Sequence, residues 1–410
     1  MKEEIRKGVT KLADLNYEYV YPHFARTVSA ITDTVPGASN LLSPIMVYFE
    51  EIIAINTINS LYTIGEQFMN GGTQLASPED ILSVSAKMGL SAAFLFTSVL
   101  GNFFRTGIDK KMGVQPARFN AGAEIDFLVD QLNKRRMIKA LSFQDTTPLA
   151  KQAVDDFTLK HEGVKIDSTN RVQRSFIPRL MLWRTHAIGF FNPFFQEVVF
   201  TTDKYPEAIA HEFAHSKGIP QERLAQFVGI ASQIESKHQY LQYLGYLSWL
   251  NLVTHAALAQ DPEFSKKERP EKTKLVNELL TRDGLNERSL EDLRSRWEFA
   301  DGIDQEIMSY SYLTNLLADK LSNVLPSNFL EKIPTNVAEF CRVPERGIAK
   351  FRSDMMMLLT GQKNAQVAYS LEPALLLHDY KEKYVDQMIQ NIKSARLARY
   401  NPRNKVIDNF

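Results

Sequence analysis

Apolar residues recur at helical spacing along almost the whole of this 410-residue chain, while strand signals are confined to two short stretches. Residues 1–34, 41–69, 79–105, 120–140, 147–160 and 206–217 carry the helical period. So do 220–260, 270–282, 288–325, 345–360 and 370–397. The clearest strand is Gln196-Glu197-Val198-Val199-Phe200-Thr201-Thr202, β-branched and aromatic and bounded by Asn192-Pro193 and Asp203. Arg171-Val172-Gln173-Arg174-Ser175-Phe176 is a second candidate. A chain patterned this way is expected to be mainly α (α+β), with a short edge strand. Breaks near Gly113–Arg118 and Asp261–Lys272 divide it into a helical region 1–115, a central unit 116–260 and a helical region 261–400.

Within the central unit, His211-Glu212-Phe213-Ala214-His215 carries chemistry. Residues four apart share one face of a helix, so both imidazoles can reach one zinc ion. Glu212 then stands beside the metal, where it can take a proton from a bound water. Tyr205-Pro206-Glu207 opens the helix with a proline and an acid, and Gly218 closes it before Pro220. A strand precedes this helix and a second long helix follows it. In such a plan the strand offers an edge to an extended peptide through Val199, Phe200 and Thr201, and the following helix supplies a third ligand.

Charge and cysteine content narrow the alternatives. Lys plus Arg and Asp plus Glu number 48 each, so no global charge points to nucleic acid. The lone Cys341 excludes an internal disulfide and a cysteine-rich zinc site. The mixed-charge start Met1–Lys7 is unlike a cleavable secretory signal. Met88–Phe104 is an uncharged run of 17 residues, the lower edge of a membrane-spanning length, and reads equally as a buried helix. Asn40–Gly65 is also apolar, but carries Glu50 and Glu51, each costing roughly 2.5–3.5 kcal/mol at a bilayer centre. An interfacial helix suits it better.

From Arg171 to Trp249 the order of motifs resembles a bacterial family catalogued only as domain of unknown function 3810. The stretches that carry the resemblance are Arg171-Val172 with Ser175, Gly189-Phe190-Phe191-Asn192-Pro193-Phe194, Glu197, His211–Gly218 and Tyr243-Leu244-Gly245-Tyr246-Leu247. Fainter echoes are Tyr21-Pro22, Gly101-Asn102-Phe103-Phe104-Arg105, Tyr312-Leu313, and Gly361-Gln362 with Tyr369. The resemblance implies a zincin-like, membrane-anchored metallopeptidase, with a helical anchor ahead of the catalytic domain. It also implies an acid in the second helix as third zinc ligand, and there this chain departs: the matching residues are Leu224-Ala225-Gln226-Phe227. Two local acids could substitute. Glu222 is turned by about 200° from Leu224 on a continuous helix, so it serves only if the helix starts after it. Glu235 shares Leu224's face but lies about 16 Å further along.

These readings converge on a zinc-dependent hydrolase, a metallopeptidase acting on a peptide or protein. His211 and His215 bind Zn2+ with Glu235 as the provisional third ligand, Glu212 is the general base, and Tyr312 or Tyr369 stabilises the transition state. The alternative is a catalytically impaired relative with an interaction or scaffold role, because Leu224 stands where an acid is expected. The expected location is the membrane, with the catalytic domain extracytoplasmic; the alternative is a soluble cytoplasmic protein. His186 could line the cleft, although a surface role suits it better. His238, His255 and His378 lack ligand spacing and are expected to be structural.

Overall fold

The computed structural model describes residues 2–34, 101–167, 172–174, 189–192, 196–200, 203–258, 269–282, 284–295 and 371–386. The two apolar stretches expected to meet a membrane fall almost wholly outside these residues, as do His186, Thr201, Tyr312 and Tyr369. Among the described residues no helix is long and apolar enough to cross a membrane.

The chain is mainly α. Helix α1 (Lys2–Leu15) runs through a π-helical turn, Asn16–Val20, into α2 (Tyr21–Thr34). Short α3 (Gly101–Phe104) and α4 (Ile108–Lys111) lead to α5 (Ala121–Asn133) and α6 (Phe143–Glu162). Three strands follow: β1 (Val172–Arg174), β2 (Gly189–Asn192) and β3 (Glu197–Phe200). Then come α7 (Ala208–Ser216), α8 (Glu222–Glu235), α9 (Gln239–Leu258) and α10 (Arg269–Arg282). Residues 287–295 are helical, and α11 (Glu372–Tyr380) ends in a second π turn, Lys381–Val385.

Local sequence explains several boundaries. Ser142 caps α6 by accepting the Asp145 amide at 3.1 Å, and Gly163 closes it in the left-handed conformation at φ 73°. The helical pattern over 220–260 reads as one element but folds as two. At Ser236 the backbone turns to ψ 144°, and its Oγ accepts the His238 amide at 3.1 Å. That local bond competes with continuing the helix.

Helix α8 lies at the centre, packed against α6, α7, α9 and α11. Its approach to α7 depends on Gly229: a Cβ there would sit 2.9 Å from the backbone nitrogen of His211. Gly245 does the same for α9, where a Cβ would lie 3.0 Å from Ile234 and 3.2 Å from the Ile230 carbonyl. One apolar cluster joins these helices, running from Ile108 through Leu128, Phe157, Phe213, Phe227 and Trp249 to Tyr380.

The sheet corrects one expectation. Strand β3 is not an edge: the order is β1-β3-β2, with β1 parallel and β2 antiparallel to it. Val199 pairs with Gln173 on one side and Phe190 on the other, and Val198, Val199 and Phe200 are buried. Both hydrogen-bonding edges of β3 are taken, so Val199 and Phe200 cannot receive a substrate strand. Gly189-Phe190-Phe191-Asn192, part of the family resemblance, is itself a strand.

Candidate metal centre

Helix α7 places His211 and His215 one turn apart on the same face, their rings edge-to-face with centroids 4.7 Å apart. Their Nε2 atoms are 3.1 Å from each other. Into the space beside them comes the carboxylate of Glu222, with Oε2 3.2 Å from Nε2 of His211 and 3.5 Å from Nε2 of His215. Among the described residues these three form the one group of histidine, cysteine or acidic side chains with metal-ligand spacing. All three are only partly buried, so water can reach the cluster.

The dimensions match a tetrahedral site. With metal–ligand bonds of about 2.0–2.1 Å, the edge of a coordination tetrahedron is about 3.3 Å. The three donor separations of 3.1, 3.2 and 3.5 Å bracket that edge. Two imidazoles and one carboxylate are also a donor set that zinc takes in hydrolytic sites. The residues present fit the ion.

Ring orientation is set by the turn after α7. Nδ1 of His215 lies 2.7 Å from the Ile219 carbonyl, so it carries the proton and donates it. In the neutral imidazole that bond fixes the tautomer whose Nε2 lone pair faces the cluster. Nδ1 of His211 is buried and has no hydrogen-bond partner among the described residues, where its Nε2 contacts hold the ring. Burial works against a charge on His215, but the Glu222 carboxylate outweighs it, aided by Glu212 and the Ile219 carbonyl, and raises the pKa to about 9. Burial likewise opposes ionisation of Glu222, yet the two histidines hold it well below the usual carboxylate range. Each charge stabilises the other.

Glu222 reaches the histidines because it is the first residue of α8, directly after Gln221. The chain turns in five residues from Ser216 to Glu222, and Gly218 makes the reversal at φ 70°. Glu222 was expected to serve only if the helix started after it; α8 instead starts at Glu222 itself, and from that first position its carboxylate meets both imidazoles. Leu224 is buried, its Cδ1 3.1 Å from where a Cβ on Gly107 would lie.

Glu235 is thereby corrected as a ligand. It closes α8 at the opposite end from Glu222, accepting hydrogen bonds from Lys160 at 2.8 Å and Tyr380 at 2.6 Å, with His161 at 3.6 Å. Glu212 is buried on α7. Strand β2 passes over it, since a Cβ on Gly189 would fall 3.2 Å from Cγ of Glu212. Glu197, one of the residues that carry the family resemblance, is fully buried. His378 pairs with Glu124 at 3.0 Å and His238 accepts the Tyr240 amide at 3.3 Å, both structural. Sequence reasoning missed Gly229 as the glycine that lets α8 close on His211. A glycine in the middle of a helical pattern was the signal available.

Comparison with known proteins agrees with the motif order. No curated protein and no solved structure matches the chain. Residues 17–317 match the family model described as Protein of unknown function (DUF3810), which covers well over half of the sequence. The chain belongs to the DUF3810 family.

Proposed function

We propose that this protein is a zinc-dependent hydrolase that cleaves a peptide bond, with His211, His215 and Glu222 holding the metal and Glu212 as general base. The observation that carries the reading is the convergence of two Nε2 atoms and one carboxylate oxygen at 3.1–3.5 Å, beside a buried glutamate on the same helix. A zinc ion held by these donors supplies Lewis acidity toward a water molecule and toward the carbonyl it attacks.

The chain's own residues supply the rest. The bond from His215 to Ile219 keeps the imidazole aimed, so the site is built before any ligand arrives. Glu222 supplies the negative charge of the donor set, which attracts a divalent cation. Glu212 accepts a proton as water attacks the scissile carbonyl carbon, then delivers it to the departing amine nitrogen as the C–N bond breaks. Substrate in this reading lies along β2 rather than β3. Strand β2 borders β3 on one side only among the described residues, and its Gly189 end adjoins Glu212. An extended peptide added there brings a carbonyl over the cluster.

The scaffold alternative was motivated by Leu224. With Glu222 in the cluster, a leucine at that position no longer argues against a complete ligand set.

Zinc content of protein purified without added metal, followed by hydrolysis of a mixed peptide library, tests the reading. One zinc per chain is expected, with cleavage that Glu212→Gln removes while zinc is kept. Protein that takes up no zinc even on reconstitution ends the proposal. So does cleavage that survives Glu212→Gln.

A further inference from the structure

Two of the three proposed ligands depend on the five-residue turn between α7 and α8: it carries Ile219, which orients His215, and it delivers Glu222. That turn is gripped from outside. The Gly218 carbonyl accepts a hydrogen bond from Nε of Arg105 at 3.1 Å. A Cβ on Gly218 would meet Tyr21 at 3.0 Å, Tyr17 at 3.1 Å and Asn102 at 3.2 Å, so the N-terminal segments lie flush against it.

Arg105 is in turn held on every side. Its Nη1 pairs with Oε1 of Glu162 at 2.5 Å, and both side chains are almost fully buried. Its guanidinium carbon stacks 3.8 Å above the Tyr17 ring. The Tyr17 hydroxyl donates to the other oxygen of Glu162. The next residue, Thr106, is tied to α1 through its amide and hydroxyl, at 2.7 and 2.9 Å from Asp14. Segments far apart in sequence therefore converge on Arg105, whose Nε holds one carbonyl of the metal-site turn.

We propose that Arg105, fixed by Glu162 and Tyr17, is a positioning residue for the metal centre: by holding the Gly218 carbonyl it sets the turn that aims His215 and presents Glu222. The inference rests on the metal-site reading above. A buried ion pair placed only for stability is weak economy, since a well-packed apolar pair often does as well. A planar fork that binds a carboxylate with one nitrogen and a backbone carbonyl with another does something an apolar pair cannot.

The test measures the affinity of the full-length protein for cobalt(II) and zinc by chelator competition, with the visible absorption of bound cobalt as a report on ligand geometry. Arg105→Lys keeps a charge for Glu162 but has no second nitrogen for Gly218. Arg105→Met combined with Glu162→Leu removes the pair while preserving bulk. In both, metal affinity is expected to fall about tenfold or more, as for other groups that orient ligands, with a weakened or shifted cobalt spectrum. Glu124→Gln, which breaks the buried Glu124–Lys381 pair away from the site, serves as the control for general loss of stability and should leave affinity unchanged. Equal metal affinity in the parent and in the folded Arg105 variants overturns the positioning role alone. A parent that binds neither metal overturns the metal-site reading and this inference with it. A matching loss in Glu124→Gln overturns the inference by assigning the effect to stability.

Discussion

A Cβ placed on Gly229 would lie 2.9 Å from the backbone nitrogen and 3.0 Å from the Cα of His211. The contact is backbone to backbone, with no flexible side chain able to yield. It fixes the distance between the helix that carries both histidines and the helix that starts with Glu222. A glycine two turns into α8 thus controls the position of a carboxylate at its beginning.

Gly229→Ala accordingly tests whether the helix crossing sets the metal site. Helix propensity alone favours alanine, so a neutral or stabilising outcome is the default for an unconstrained position. The overpacked contact should instead destabilise the fold by about 1–3 kcal/mol. Zinc affinity should fall as Glu222 moves away. Chemical denaturation and chelator competition on the same preparation measure both effects. A stable variant with parental zinc affinity would mean that α7 and α8 are not held at this distance.

Glu235 gives the protein a defined acid sensitivity. Burial raises the cost of its charge, but His161, Lys160 and Tyr380 outweigh this and hold its pKa at about 2, against an ordinary 4.5. A carboxylate depressed in the folded state contributes stability that is present above the unfolded value and lost as pH falls toward the folded one. Stability should therefore decline as pH drops from about 4.5 toward 2, through proton uptake that the unfolded chain completes first. Glu235→Gln should flatten that part of the curve. Urea unfolding at a series of acidic pH values reads it, and identical slopes in the two proteins would exclude Glu235 as the group responsible.

Much of the helical framework could be read from periodicity. His211 and His215 had to share a face, Gly218 had to end α7, and the β-branched and aromatic run Val198-Val199-Phe200 had to be a strand. Three features were not readable, each for a physical reason. The role of Glu222 depends on where the axis of α8 begins, and a one-dimensional pattern gives the phase of a helix but not its origin. The central place of β3 depends on pairing with β1 and β2, which lie beyond the range of local signals. Arg105, Glu162 and Tyr17 are separated by more than fifty residues each, and only folding brings them onto Gly218. Membership of the family was legible from the order of motifs between Arg171 and Trp249, a stretch that lies inside the matched residues 17–317.

Leu224 separates the two accounts of the third ligand by its environment. If Leu224 stood at a vacant ligand position, Leu224→Glu would raise zinc affinity. The structure places this side chain in the apolar core beside Gly107, two residues and about 200° around the helix from Glu222, so a carboxylate there would be buried among apolar groups. The expected result is a loss of about 3 kcal/mol or more in stability, with no gain in zinc affinity. A tighter zinc complex in Leu224→Glu would put the third ligand position at residue 224 instead of Glu222.

The sharpest prediction concerns Glu222 itself. Its carboxylate oxygen is the only acidic donor within reach of both imidazoles among the described residues, 3.2 and 3.5 Å from them. Two histidines alone hold zinc weakly, so removing the third donor should be felt at once. Glu222→Ala is expected to weaken zinc at least tenfold, about 1.4 kcal/mol. Glu235→Ala should leave zinc affinity at the parental value and lower stability instead, because it breaks the contacts with Lys160 and Tyr380. Glu222→Asp is the discriminating case: one methylene shorter on a helix whose start is fixed by the Gly218 turn, it should bind zinc with intermediate affinity. Chelator competition across the four proteins ranks them. If Glu235→Ala proves the weak binder and Glu222→Ala matches the parent, the ligand assignment made from this geometry is wrong.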